Sequence, residues 1–119
     1  MGGKGGGDYK SAVIINRTRK DTPYDAICYH CQQSAEKYLK AYLIQQGTVP
    51  RRTHDLEDLL TICVTYEAKL SALLPLVRFL DPFSVQFRYP GDAATELQAR
   101  DALSTLRRLR RSMRRILGF

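Results

Sequence analysis

Three groups of residues in this chain are of types that do chemistry. Residues 28–31 read Cys-Tyr-His-Cys, a thiol pair enclosing an imidazole. A second imidazole, His54, stands in Arg-Arg-Thr-His-Asp-Leu. Near the C-terminal end lie Arg107, Arg108, Arg110, Arg111, Arg114 and Arg115, with no acid after Asp101. The first group raises metal or redox chemistry, the second proton transfer, the third the binding of phosphate.

The thiol pair falls short on count. A structural zinc site takes four converging ligands, usually from two separated pairs, and the remaining cysteine, Cys63, stands alone. A redox Cys-x-x-Cys belongs beside a βαβ pattern, which this sequence lacks. At roughly 100° per residue, Cys28 and Cys31 share a helix face with Ala35, Tyr38, Leu39 and Tyr42. That face is a continuous apolar stripe, so the cysteines read as small core residues. Three cysteines do not make a disulfide framework, and no metal or cofactor is expected.

The imidazoles carry more. His30 shares a second face with Gln33 and Lys37, spaced i, i+3 and i+7. Such a trio could grip an anion or line a subunit interface, or be a hydrogen-bonded His beneath solvated polar residues. His54 precedes a helix start, where it could help to cap, with Asp55 favoured at the positive end of the helix dipole. Either His is a candidate proton carrier.

Two or three of the terminal arginines suit the negative end of a helix dipole. Six exceed that need and point to phosphate, from RNA, a nucleotide or an acidic partner protein. No aromatic residue is interleaved with them, so base-specific reading along this stretch is not expected. The formal net charge of +7 and a pI of about 9.6 agree with an anionic partner.

The elements that must hold these groups are helical. With 119 residues, 44% hydrophobic and 26% charged, the chain is one globular domain by size. Residues 1–8, rich in glycine, read as a flexible leader, and the Lys inside the glycines does not match a Walker loop. The folded domain is expected over 9–119. No apolar run has the length of a membrane span or a secretory signal, so a cytoplasmic setting is expected.

Helical spacing predicts a short helix over 9–20 and a second from Pro23 to about Gln46, with Asp21 or Thr22 as its cap and Gly47 as its stop. A third helix is predicted over about 55–70, with Thr53 or Asp55 as its cap and Leu56, Leu59, Leu60, Cys63 and Leu70 as its apolar positions, and a weaker piece over 71–82. Phe83, Val85, Phe87 and Tyr89 alternate as an extended segment would. The last helix is predicted over about 93–117, its apolar stripe running from Leu97 through Ala102, Leu103, Leu106, Leu109, Met113, Ile116 and Leu117. The whole reads as an all-α bundle of four or five helices.

Three stretches resemble one family: "YDAICYHCQQSAEKYLKAYLIQQG", "THDLEDLL", and "RYPGD" before a long terminal helix. Together they resemble the HEPN domain family over about Tyr9 to Leu117. The resemblance implies an all-α, up-and-down bundle that commonly forms homodimers. Many such proteins pair with a minimal nucleotidyltransferase, often as a toxin–antitoxin system. Others are metal-independent ribonucleases carrying an Arg, four to six residues, then a His near the start of the final helix.

The sequence departs from that ribonuclease pattern. No His follows Arg88, and neither His30 nor His54 has an Arg at the required spacing. Cleavage through a 2′-hydroxyl needs a group that moves protons near neutral pH, which Arg does not readily do. The sequence therefore reads as a binding module without catalysis of its own. His30, Gln33, Lys37, Arg88 and Tyr89 are its candidate anion or nucleotide contacts, and Asp92 the candidate cap of the last helix. The alternative is a ribonuclease with an atypical site drawn from His30, His54 and Arg88.

Overall fold

The computed structural model describes residues 24–85 and 93–118. The predicted first helix, the leader, and Phe87, Arg88, Tyr89 and Asp92 lie outside these residues. Four α-helices make up the described part: α1 (Tyr24–Gln45), α2 (Leu56–Tyr66), α3 (Leu74–Leu80) and α4 (Glu96–Leu117). Short 3-10 turns, Ala68–Leu73 and Asp81–Ser84, flank α3, and no strand occurs among the described residues.

Helix α1 ends as its sequence predicts. Gly47 takes φ 83°, its N–H bonds to Ile44 O at 2.9 Å, and Thr48 N–H bonds to Leu43 O at 2.9 Å. This paired pattern closes a helix around a left-handed residue, a conformation glycine adopts without a Cβ penalty.

The predicted helix over 55–70 stops at Tyr66. Glu67 leaves helical geometry, with φ −144° and ψ 101°, and its carboxylate accepts from Lys69 N–H at 3.4 Å. It thus closes α2 and opens the next 3-10 turn. Pro75 then stands in the first turn of α3, where its missing N–H costs nothing. Phe83 and Ser84 are helical rather than extended, because Pro82 favours a tight turn and Ser84 Oγ donates to Asp81 O.

Helix α4 begins at Glu96 rather than 93. Thr95 is its cap, joined to Gln98 by a reciprocal pair of bonds at 3.0 and 2.9 Å, so the cap expected at Asp92 is replaced. Leu97 is not part of the apolar stripe: it is 66% exposed. Counted at 100° per residue, it lies about 160° from the centre of the buried positions Ala99, Ala102, Leu106, Leu109 and Met113.

The core joins Ile27, Leu39 and Leu43 of α1, Leu56, Leu59 and Leu60 of α2, Val77 and Leu80 of α3, and Leu103, Leu106 and Leu109 of α4. Helix α1 is the spine, with α4 its most extensive partner and α2 the next. All three cysteines are buried in this core, and burial pushes each thiol up to about 12. Their burial is what the stripe predicts, and it disfavours the thiolate.

Candidate nucleic-acid interface

Helix α4 presents its arginines on the side opposite the core. Arg107, Arg108, Arg111, Arg114 and Arg115 are exposed, while Arg110 at the edge of the buried stripe is half-buried. At 1.5 Å per residue they occupy about 12 Å of helix. Two other exposed arginines are paired with carboxylates: Arg78 of α3 with Glu57 at 2.8 Å, and Arg100 in the first turns of α4 with Glu96 at 2.9 Å. The charge of Arg107 lowers the Cys31 thiol against the larger effect of burial.

His54 does not cap. Asp55 does, accepting from Glu57 and Asp58 N–H at 3.0 and 3.2 Å. Asp81, 26 residues later in the chain, adds a second acceptor, its Oδ1 taking the Leu56 N–H at 2.9 Å. Burial, with Asp55 beside it, raises the Asp81 carboxyl above its ordinary value against the pull of that Leu56 N–H.

His54 is instead clamped to α1. Its carbonyl accepts from Gln32 Nε2 at 2.9 Å, and its Nδ1 meets Glu36 Oε1 at 2.8 Å. The other Glu36 oxygen pairs with Lys40 at 3.1 Å. Glu36 is nearly buried, with 8% of its side chain exposed, whereas the His54 ring is 73% exposed. The clamp holds the 46–55 connection against the middle of α1. The ring borders a shallow hollow of about 360 Å³ shared with Asp55, Asp81, Pro82 and Ser84.

Of the predicted trio on α1, His30 lays its ring edge-on to Tyr29, with centroids 6.2 Å apart. Gln33 donates to Gln32 Oε1 at 2.7 Å. His30, Gln33 and Lys37 are all half-buried. The amide of Gln33 is thus engaged in the His54 clamp.

Sequence reasoning missed Gln32 and Glu36. The signal was present: Gln32 lies within 40° of Cys28 on the helix wheel, and Glu36 at the stripe's edge. It also missed a second hollow of about 400 Å³ at the end of the bundle, where α1, α2 and α4 finish together. Tyr42, Gln45, Gln46, Tyr66 and Glu67 line it, with Ile116 and Leu117 of α4. Its parts lie some 75 residues apart, so only the packed fold assembles them.

A family model described as HEPN domain matches residues 8–116. The chain belongs to the HEPN domain family. No curated protein and no solved structure matches the chain. The membership accords with the all-helical bundle, and supports a nucleotide- or RNA-related module in general terms. Among the described residues of this HEPN domain, no helix is long and apolar enough to cross a membrane, and no group of His, Cys, Asp and Glu has the arrangement of a metal site.

Proposed function

We propose that this HEPN domain is a non-catalytic binding module that holds the phosphates of RNA or of a nucleotide on the outer face of α4. The observation that carries this reading is the clustering of Arg107, Arg108, Arg111, Arg114 and Arg115 on the solvent side of one helix. Arg114 and Arg115 lie in the last turn, where the dipole alone favours cations. Arg108 and Arg111 stand further back, beyond the reach of that effect. Polyanion binding accounts for them, because phosphate contacts made by Arg release condensed counterions and give affinity without sequence reading.

The test is fluorescence anisotropy of a labelled single-stranded RNA at several salt concentrations. The wild type is expected to bind with affinity falling steeply as salt rises. Arg108→Gln, Arg111→Gln and Arg115→Gln combined are expected to weaken binding by at least about tenfold at low salt. Equal binding by that variant would overturn the reading. As a family member, the chain is also expected to form a homodimer and to pair with a minimal nucleotidyltransferase. Sedimentation of the purified chain reads the first of these.

One observation favours a second reading, a ribonuclease with a displaced His. Glu36 holds the His54 ring through Nδ1 while the side chain stays largely exposed, an arrangement open to a general base. Against it, Asp55 and Asp81 line the same hollow and would repel a phosphate. Intact RNA after prolonged incubation is the expected result. Cleavage lost in His54→Ala would favour the enzyme.

A further inference from the structure

The bundle-end hollow does not belong to the arginine face, yet it touches it. Ile116 and Leu117 line the hollow and share the last turn of α4 with Arg114 and Arg115. Its volume of about 400 Å³ lies in the ordinary range of small-ligand sites. Its wall is chemically mixed. Tyr66, a residue 47% exposed, offers an aromatic ring, its hydroxyl joined to Thr48. The half-buried Ile116 and Leu117 offer apolar surface. Gln45 and Gln46 supply amides that both donate and accept, and Glu67 an acceptor.

An aromatic face with amides and a carboxylate around it suits a flat heterocycle carrying donors and acceptors on its edge. A sugar could use the same groups. The two cations in the same last turn of α4 decide between them, because they favour a ligand that carries phosphate next to its ring. We propose that this hollow is a nucleobase subsite, stacking one base on Tyr66 while the attached phosphate lies toward Arg114 and Arg115. The proposal rests on the phosphate-binding reading of α4 and adds to it a base-dependent component. The arginine helix, with no interleaved aromatic, cannot provide that component itself.

The experiment compares a short single-stranded RNA with the same strand made abasic at every position, using the full chain. The intact strand is expected to bind about tenfold more tightly. Gln45→Ala and Tyr66→Ala should erase most of that preference while leaving abasic binding unchanged. Gln45 is exposed on the surface of α1, so its variant keeps the test valid if Tyr66→Ala fails to fold. Equal binding of the two strands by the wild type would overturn the proposal.

Loss of strand binding altogether would sink the arginine reading but not the hollow, which nucleosides test separately. Adenosine or guanosine at millimolar concentration should shift the side-chain amide NMR signals of Gln45 and Gln46. Nucleosides carry no phosphate, so such shifts would sustain the hollow by themselves. Signals left in place by every nucleoside would overturn it.

Discussion

Gln32 is fully buried, and its amide is used twice: its nitrogen donates to the His54 carbonyl and its oxygen accepts from Gln33. Removing it orphans a backbone carbonyl beside the core. Gln32→Leu should therefore cost about 1–3 kcal/mol in chemical denaturation despite filling the space with apolar atoms. Glu36→Gln should cost less, because both His54 and Lys40 retain access to water. Asp81 carries a pH signature. Its carboxyl is raised in the fold, so the folded chain holds a proton there that the unfolded chain has lost. The stability that Asp81 contributes is then fully present at low pH and declines as pH rises through that window. Asp81→Asn keeps an acceptor for Leu56 N–H and cannot ionise. The stability of the variant relative to wild type should climb from about pH 4 toward neutrality. Denaturation midpoints that run parallel over this range would refute the assignment.

At the scale of elements, the signals written in neighbouring residues were legible in the sequence and the distant ones were not. Gly47 marks the end of α1 because a left-handed turn is a property of one residue. The cysteine stripe was readable because 100° per residue is a local rule. The break at Glu67 was not, because Leu70 keeps the apolar spacing of α2 although the backbone between them has changed direction. Asp55 was legible as a cap, whereas Asp81 reaches the same helix end only after α2 and α3 have packed. Likewise the pairing of His54 with Glu36 spans 18 residues and needs the 46–55 connection to fold back over α1. Thr95 shows how a cap can be read too early in the chain. Thr95 followed by Gln98 is a local capping box, yet Asp92 drew the expectation by its place after Pro90 and Gly91. Thr95→Ala should lower stability by about 1 kcal/mol and loosen the first turn of α4. Hydrogen exchange should rise at Ala99 and its neighbours while the arginine-bearing turns remain protected.

At the scale of the molecule, the question is whether the excess positive charge acts as a net charge or as a place. The formal charge of +7 would attract RNA from any side if only the sum mattered. The structure divides the arginines by circumstance instead. Arg78 and Arg100 are paired with carboxylates on their own surfaces. Arg108 and Arg111 stand on the outer face of α4, which has no acid beyond Asp101. Two double variants therefore separate the alternatives: Arg78→Gln with Arg100→Gln, and Arg108→Gln with Arg111→Gln. Each lowers the formal charge by the same two units. If binding follows the sum, both should weaken RNA affinity alike. If it follows the place, only the second pair should lower the slope of log affinity against log salt, by about 0.7 for each phosphate no longer held. The first pair should leave the slope where it was, because a guanidinium already held by Glu57 or Glu96 releases little further counterion on meeting RNA. Equal slopes for the two double variants would show that binding follows the summed charge rather than the face that carries Arg108 and Arg111.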